Sequence, residues 1–456
     1  MFGDTIAAIS TAWGDGGISI IRISGPDSLS VAGDIVRTAK PTEDLLSRFM
    51  YNGSLLDEGG NPIDEVLLVS FRAPKSYTGE DLTEIHCHGG SLVAQRCLER
   101  CLQKGCRHAE PGEFTRRAFE NGRLDLAQAE AVNGIIHARS NEALKAASRT
   151  LRGELSRFVR ELYDELLSLS AELEVGIDFP EEDVPYIDDQ EGSDRIETMI
   201  KGLQDIADRC TTGYLLREGI RVALVGRPNV GKSSLLNSLL KESRAIVTSI
   251  PGTTRDVIEE VFTHKGIPLR LMDTAGLRTT PSDEVEAIGI ERTAQAMDKS
   301  DVVLWILDGS EPIGDFERDM ATRISDRPHI VAVNKSDLPS GLDGSLLVSL
   351  LPESTILNIS AQEQRGLEEL KEALVEMVAG TGTLEGGLNA TARQLEELRS
   401  AIDSLGASKE ALEHHHDQTL AAAGLAETRK ALERILGLFD DDSLLDTVFS
   451  RFCIGK

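Results

Sequence analysis

The sequence predicts a multidomain fold with three parts: an α+β N-terminal domain, a discontinuous all-α helical domain, and an inserted α/β domain. Three observations support this prediction. Short β-like runs alternate with helical stretches at the start, and apolar stripes at helical spacing then follow and return near the end. Between those stripes, an apolar run enters a glycine-rich loop and then a helix. The expected bounds are 1–119, 120–217, 218–378 and 379–456.

The inserted domain opens on a phosphate-binding loop. The apolar run Ile220–Val225 is followed by Gly226, four further residues, Gly231-Lys232-Ser233, and a series of good helix formers. Glycines allow backbone N–H groups to converge on phosphate oxygens at a helix N-terminus, the lysine reaches the outer phosphates, and the serine hydroxyl ligates Mg²⁺. The alternative is an ordinary glycine-rich turn, and the downstream motifs argue against it.

The later strands indicate which nucleotide is bound. Asp273 ends an apolar run and can hold Mg²⁺ through water, while the N–H of Gly276 can contact a terminal phosphate. The run Asn334-Lys335-Ser336-Asp337 follows another strand, and its Asp can accept from the N1–H and amino group of guanine, which adenine cannot match. Ser360-Ala361 follows a last strand at the guanine edge. Together these motifs predict a Ras-like α/β P-loop GTPase domain.

The predicted switch region departs from the Ras mechanism. The position at which Ras-type enzymes carry a water-orienting Gln is Leu277, and an apolar side chain cannot orient water. The carboxylates available in the next segment are Glu284 and Glu286. No arginine finger can be assigned, but Asn229 offers a carbonyl to a monovalent cation that would supply the missing positive charge.

Composition limits the possible partners. The chain has 456 residues and a formal net charge of −28, so it should not bind nucleic acid strongly without a basic partner or a local basic patch. Aromatic residues make up 4%, which argues against a base-stacking platform. No targeting segment or membrane span is recognisable, which predicts a cytoplasmic protein. Six cysteines in so long a chain do not indicate a disulfide framework.

The N-terminal domain carries a group of cysteines and histidines but no nucleotide motif. Helices are expected at Ser28–Thr38 and Leu92–Lys104, with strands in the GGISIIRISG, VLLVSF and LTEIHCHGG segments. The cysteine and histidine spacings match no compact zinc motif, so buried thiols are the favoured interpretation. At the far end of the chain, Cys453 precedes a terminal Lys456. A frayed tail and a ligand-facing thiol are both open there.

A collinear set of motifs spans essentially the whole chain: GGISIIRISG, YTGEDLTEIHCHGG, PGEFTRRAFENGRLDLAQAEAV, GRPNVGKSSLLN, IPGTTRDV, DTAGLR, NKSD and the terminal FCIGK. This set resembles the MnmE (TrmE) family of tRNA-modifying GTPases. Such a combination is far more specific than a phosphate loop alone.

The resemblance implies roles in the GTPase domain. Glu286 is expected to be catalytic and to position the attacking water through a second water, while Ser233 and Thr254 ligate Mg²⁺. Potassium would stand where an arginine finger would be, when two GTPase domains face each other. Its expected ligands are Asn229, Thr248, Ile250 and Thr253. The residues expected to bind GTP are Asn229, Gly231, Lys232, Ser233, Ser234, Asp273, Gly276, Asn334, Lys335, Asp337, Ser360 and Ala361.

For the N-terminal domain, the resemblance implies a homodimerising module that binds a tetrahydrofolate derivative, either 5-formyl- or methylene-tetrahydrofolate. The expected folate contacts are Arg22, Glu84, Arg123 and Lys456. Arg123 stands where a well-known relative has Lys, which keeps the charge but changes the geometry. Cys453 is implied to matter for the modification chemistry.

The implied reaction needs a partner, the flavoprotein MnmG (GidA), which carries FAD. It adds an aminomethyl or carboxymethylaminomethyl group to C5 of the wobble uridine of certain tRNAs. The folate supplies the one-carbon unit, ammonium or glycine supplies the amine, and GTP hydrolysis drives a conformational cycle. An acidic chain fits a partner that brings most of the tRNA-binding charge.

Two other functions share part of this set of motifs. A ribosome-assembly or RNA-chaperone GTPase shares the phosphate loop, but such proteins usually carry a basic RNA-binding module or a second GTPase domain, and neither is visible here. A folate-binding scaffold with a vestigial GTPase is the other alternative. The intact Lys232, Thr254, Asp273 and Asp337 argue against it.

Overall fold

The computed structural model describes residues 3–178, 187–242, 259–273, 294–379, 386–439 and 441–456. The chain divides into two units, each described separately below. Unit 1 comprises Met1–Ile136, Arg149–Ile206 and Arg393–Lys456. Unit 2 comprises His137–Ser148 and Ala207–Ala392.

The described residues form strands and helices in alternation, and then mostly helices. The strands are β1 (Ile6–Ile9), β2 (Ile18–Ser24), β3 (Val36–Thr38), β4 (Met50–Leu56), β5 (Pro62–Phe71), β6 (Leu82–His88), β7 (Arg107–His108), β8 (Ile220–Val225), β9 (Glu259–His264), β10 (Ile267–Asp273), β11 (Val302–Asp308), β12 (His329–Asn334) and β13 (Thr355–Asn358). The helices are α1 (Ser28–Ile35), α2 (Ser91–Gln103), α3 (Glu113–Glu120), α4 (Leu126–His137), α5 (Asn141–Leu151), α6 (Glu154–Asp178), α7 (Asp189–Glu218), α8 (Lys232–Glu242), α9 (Asp315–Ile324), α10 (Gly344–Leu350), α11 (Leu367–Ala379), α12 (Ala392–Glu410), α13 (Gln418–Leu436) and α14 (Asp442–Phe449).

Unit 1 is built on a seven-stranded sheet in the order β3-β4-β5-β6-β2-β1-β7. Neighbouring strands pair antiparallel, except for β1 and β7, which are parallel. Helices α1 and α2 contribute apolar side chains to one core with the strands, because each has a buried stripe at helical spacing. The expected α+β fold of this part is confirmed.

One expected helix is wrong over its last three residues. Helix α1 ends at Ile35, and Val36–Thr38 pairs with β4 as strand β3 instead of continuing the helix. Val36 is β-branched and only 2% exposed, so it fits a buried strand position against Leu55. Long-range pairing of this kind is not visible in local helical spacing.

Four cysteines of unit 1 lie in the apolar core between its sheet and helices α1 and α2. Cys87, Cys97, Cys101 and Cys106 are buried among the side chains of α1, α2 and the strands, and all are free thiols. Among the described residues, no group of three or more His, Cys, Asp or Glu side chains is placed to hold a metal ion. The observed burial agrees with the buried-thiol interpretation.

The helices of unit 1 are tied together by ion pairs. Arg195 of α7 binds Glu165 and Glu172 of α6 at 2.7 and 2.8 Å. Lys409 of α12 binds Glu197 of α7 at 2.9 Å. The chain therefore returns to this helical layer after residue 392, as the discontinuous all-α prediction requires.

Unit 2 contains a six-stranded sheet in the order β13-β12-β11-β8-β10-β9. All pairings are parallel except that of β9 with β10. Every residue of β11 is buried, because apolar clusters cover both faces of the sheet. This is the predicted α/β P-loop fold. Strands β8, β10, β11, β12 and β13 coincide with the expected strands, whereas β9 was not predicted.

A close backbone crossing joins α7 to the segment after α11 within unit 2. The N–H of Leu388 donates to the carbonyl of Arg209 at 3.0 Å, and Nε of Arg209 donates to the carbonyl of Gly386 at 3.0 Å. A Cβ atom on Gly213 would lie 1.8 Å from the carbonyl oxygen of Leu388. This crossing therefore requires glycine at 213.

None of the helices in the described ranges is long and apolar enough to cross a lipid bilayer.

We expect Gly213→Ala to lower the free energy of unfolding of unit 2 by about 3 kcal/mol, because the new methyl group displaces the Leu388 backbone. The matched control is Gly344→Ala in α10 of the same unit, where a Cβ meets nothing within 4 Å. It should be neutral or stabilising by up to about 1 kcal/mol. The fluorescence of buried Trp305 during unfolding, in a Trp13→Phe background that removes the other tryptophan, measures the effect. Equal stability of the two glycine variants would contradict the crossing.

Candidate functional site

The phosphate loop of unit 2 connects β8 to α8 and contains three residues with positive φ. Gly226 and Gly231 have φ of 153° and 100°, and Asn229 has φ of 65°. A Cβ on Gly231 would lie 2.2 Å from the amide nitrogen of Asn334. Glycine is therefore needed at 231 for both its backbone conformation and the close approach of Asn334.

The first turn of α8 places cationic and hydroxyl groups beside this loop. The ammonium of Lys232 donates to the carbonyl oxygens of Gly226 and Arg227 at 2.5 and 2.7 Å, so it reaches across the loop. Ser233 and Ser234 follow and are exposed at the helix N-terminus. Such an arrangement suits phosphate oxygens and a Mg²⁺ ligand, because the helix dipole favours negative charge there.

Asn334 links the phosphate loop to the loop after β13. Its Nδ2 donates to the carbonyl of Val230 at 2.8 Å, and its Oδ1 accepts from the N–H of Ala361 at 3.0 Å. The side chain is buried, so these bonds are shielded from water. The predicted residues Asn334 and Ala361 are thus hydrogen-bonded to each other and, through Val230, to the phosphate loop.

The predicted base-contacting carboxylate, Asp337, is held by a neighbouring loop. The hydroxyl of Ser360 donates to its Oδ1 at 2.6 Å, and this hydrogen bond holds the pKa of Asp337 below its ordinary value. An ionised carboxylate acts only as an acceptor, as pairing with the N–H groups of guanine requires. Lys335 has φ of 63° and binds Asp308 at 2.5 Å.

Several predicted site residues fall outside the described residues. They are Thr248, Ile250, Thr253, Thr254, Gly276 and Glu286. The backbone of Asp273 ends β10 and pairs in register with Leu224 of β8. The predicted potassium site and catalytic carboxylate therefore stay predictions.

A second cluster of predicted residues lies on the sheet of unit 1. Arg22 of β2 is opposite Glu84 of β6 in the strand register and binds its Oε1 through Nε and Nη2 at 3.0 and 2.8 Å. Its guanidinium also lies over the rings of Tyr77 and Phe114, at 5.4 and 5.7 Å. Burial raises the pKa of Glu84, but hydrogen bonding from His86 and the charge of Arg22 outweigh it and leave that pKa lowered.

The last residues of the chain are fixed to this cluster. Ile454 forms an antiparallel bridge with Pro111, and the N–H of Gly112 donates to the carbonyl of Cys453 at 3.4 Å. The carbonyl of Gly455 accepts from the hydroxyl of Ser10 at 3.0 Å and from Arg22 at 3.5 Å. The alternative of a frayed C-terminal tail is therefore wrong.

Lys456 is half-buried at the end of this docked tail. Burial, and then the positive charge of Arg22, lower the pKa of its ammonium, while Cys453 and Glu84 act in the opposite direction. Arg22, Glu84 and Lys456 thus share one electrostatic environment. Arg123 joins the same region through Ser76, whose carbonyl accepts from its Nε at 3.1 Å and which precedes Tyr77.

The side chains that support Arg22 were not predicted from the sequence. Tyr77 lies in the quoted YTGED segment, but that its ring lies under the Arg22 guanidinium is apparent only from the structure. Arg117 was also missed. It is fully buried and binds Glu80 and Glu113 at 3.1 and 2.9 Å, which fixes the loop that carries Tyr77 to α3. The available signal in the sequence was that Arg117 shares a helix face with Phe114 and Ala118, where the spacing favours an apolar residue.

Comparisons with known proteins give matching family models and full-length relatives. A family model described as the MnmE helical domain matches residues 126–453, and one described as the N-terminus of the GTP-binding protein TrmE matches residues 5–123. A tRNA modification GTPase MnmE from Heliobacterium modesticaldum is 45% identical over 100% of both chains. Another from Symbiobacterium thermophilum is 43% identical over 99% of both.

The chain belongs to the MnmE family.

Membership in the MnmE family confirms the resemblance and shows that the chain is a P-loop enzyme that hydrolyses GTP. Unit 2 of this MnmE-family member has the P-loop GTPase fold and contains the candidate nucleotide site described above. A solved structure of the G domain of the T. maritima FeoB iron transporter also matches, at 30% identity over 35% of this chain and 98% of its own, with a TM-score of 0.26.

Cys453 should be the one cysteine that a thiol reagent labels in the native protein at pH 8. It is exposed, whereas the other five are buried. Burial raises the pKa of Cys87 to about 11 and the pKa values of Cys106 and Cys210 to about 12. Both effects suppress the reactive thiolate. Titration with a chromogenic disulfide, followed by mass spectrometry, should give one labelled thiol in the native chain and six in denaturant. The Cys453→Ser variant should give no labelled thiol in its native state and five in denaturant. Native labelling elsewhere would contradict the structure.

Proposed function

We propose that this MnmE-family GTPase acts with a flavin-dependent partner, MnmG (GidA), to modify C5 of the wobble uridine of certain tRNAs. The added group is aminomethyl or carboxymethylaminomethyl. The observation that carries the proposal is full-length similarity to proteins named tRNA modification GTPase MnmE, combined with a second cluster of ionic side chains in unit 1. The proposed location is the cytoplasm.

The cluster in unit 1 suits a tetrahydrofolate derivative, such as 5-formyl- or methylene-tetrahydrofolate. Glu84 is held ionised and can accept from the N–H groups of a pterin ring. Arg22, Lys456 and Arg123 offer cations for the carboxylates of a glutamate tail. The bound folate would supply the one-carbon unit. Cys453 lies beside Lys456 and is exposed, which is compatible with a role in the modification chemistry.

The nucleotide site suits GTP hydrolysis assisted by cations. Lys232 would contact the outer phosphates, Ser233 and Thr254 would ligate Mg²⁺, and Asp273 would support it through water. Bound potassium would supply the charge that an arginine finger gives elsewhere, with Asn229 among its ligands. The positive φ of Asn229 turns the phosphate loop sharply at this residue. Glu286 would position the attacking water.

GTP hydrolysis would drive a conformational cycle rather than the carbon chemistry. We propose a homodimer through the N-terminal domain, domain bounds near 119, 217 and 378, and transient pairing of two GTPase domains. The charge of −28 supports the view that the flavoprotein, which carries FAD, brings most of the tRNA-binding charge. Ammonium or glycine would supply the amine.

Reconstitution with the flavoprotein, GTP, Mg²⁺, a reduced folate, glycine or ammonium, and unmodified tRNA should yield a modified wobble uridine. Mass spectrometry of nucleosides measures it. Arg22→Met should reduce the yield at limiting folate by about tenfold and weaken folate binding, because it removes the cation paired with Glu84. Arg37→Met is the control, since Arg37 is exposed on the sheet edge and its guanidinium donates to the carbonyl of Gly60.

Absence of any modified uridine with active GTP hydrolysis would overturn the proposed function and favour a ribosome-assembly or RNA-chaperone GTPase. Equal yields from Arg22→Met and Arg37→Met at limiting folate would overturn the folate assignment alone.

GTP hydrolysis should be at least about tenfold faster in potassium than in sodium at matched ionic strength, because the cation replaces an arginine finger. Asn229→Ala should lose this difference. Asn237→Ala, an exposed asparagine on α8, should keep it. Steady-state phosphate release measures the effect. The same rate in both salts would remove Asn229 from the potassium site.

A further inference from the structure

Ser238 interrupts an apolar stripe on α8. It follows Leu235 by three residues and precedes Leu239, and both leucines are fully buried. Ser238 is itself only 8% exposed. A buried hydroxyl destabilises a fold unless it is hydrogen-bonded, so the identity of its partner is informative.

The partner of the Ser238 hydroxyl is Ala361, in the loop that is predicted to contact guanine. The hydroxyl of Ser238 donates to the carbonyl of Ala361 at 2.8 Å. The N–H of the same residue donates to Oδ1 of Asn334 at 3.0 Å. Ala361 is therefore fixed through both its N–H and its C=O, by side chains from two different elements.

These bonds close a ring across unit 2. Asn334 also donates to the carbonyl of Val230 in the phosphate loop, at 2.8 Å. The path runs from Val230 through Asn334 and Ala361 to Ser238, and the backbone of α8 leads back to Val230. All four residues are less than 9% exposed, so water competes little with these bonds. The ring fixes the spacing between the phosphate loop and the loop at Ala361.

Ala361 in turn determines where Asp337 points. Ser360 precedes it, donates to Asp337 at 2.6 Å and accepts from the N–H of Glu363 at 3.1 Å. The backbone of Ser360 also pairs in both directions with Arg365, at 3.0 and 3.1 Å. The loop is thus a small rigid turn, and a displacement of Ala361 displaces Ser360 and the carboxylate it holds.

We propose that Ser238 is a positioning residue for guanine recognition. Its hydroxyl holds Ala361 so that Asp337 stays aligned to accept from the N1–H and the exocyclic amino group of guanine. Ser238 acts through the loop and not on the nucleotide. The ammonium of Lys232 is held by the carbonyls of Gly226 and Arg227, outside this ring, so we expect base recognition to change more than phosphate binding when the Ser238 hydroxyl is removed.

The test is Ser238→Ala in the full-length protein, with steady-state hydrolysis of GTP and of ITP and release of a fluorescently labelled GDP. Removing the hydroxyl leaves a buried carbonyl without this donor, so the KM for GTP should rise about tenfold and GDP release should accelerate similarly. The KM for ITP should rise less, because hypoxanthine lacks the amino group and offers Asp337 only the N1–H. The kcat for GTP should stay within about twofold.

Two matched variants separate positioning from general damage. Ser238→Thr keeps the hydroxyl and should restore the preference for GTP over ITP. Asn237→Ala changes the exposed neighbour on the same helix and should leave all constants unchanged. If Ser238→Ala does not fold, Ser238→Cys replaces it, because a thiol is close in size to a hydroxyl and is a weaker hydrogen-bond donor. It should also raise the KM for GTP more than the KM for ITP.

A narrowed GTP preference at unchanged kcat, restored by threonine, supports the proposal. An equal rise of KM for GTP and ITP overturns it, because base recognition would then be untouched. A lowered Tm with an unchanged GTP preference likewise overturns it and leaves Ser238 a purely structural residue.

Discussion

Hydrogen bonds between the end of the chain and residues next to the first sheet hold the candidate site of unit 1 together. Ser10 and Gly455 are 445 residues apart, yet the hydroxyl of one donates to the carbonyl of the other. The Pro111–Ile454 bridge adds a second attachment. Because the tail is anchored at both points, the ammonium of Lys456 is half-buried beside Arg22 and not free in solvent. The ionic character of the cluster depends on this attachment.

In unit 2, hydrogen bonds hold the loops of the candidate nucleotide site in place. The phosphate loop, Asp308, Asn334 and the turn at Ser360 all follow the carboxyl ends of neighbouring parallel strands, where ligands bind in α/β sheets. Loops at such an edge are held by few covalent constraints. Buried polar side chains supply the rest, which is why an otherwise apolar interior tolerates an asparagine and a serine.

The sequence predicted the α/β unit well because its strands are continuous apolar runs, and β8 coincides with the expected run Ile220–Val225. It predicted a helix at Val36–Thr38, where the structure has a strand, because that strand depends on pairing with β4. Motif residues such as Lys232 and Asp337 carry their chemistry locally and could be named in advance. The rings around Arg22 and the donor to Ala361 could not, because they come from elements far apart in the sequence.

The docked tail also has a consequence for how the protein is made. Strands β1, β2 and β6 can pair as soon as the first quarter of the chain has left the ribosome, but Gly455 and Lys456, which complete their ionic cluster, are synthesised more than 350 residues after β6. Contacts of such long sequence separation form late in folding. A nascent chain can therefore acquire its first sheet and its nucleotide domain while the cluster around Arg22 is still open.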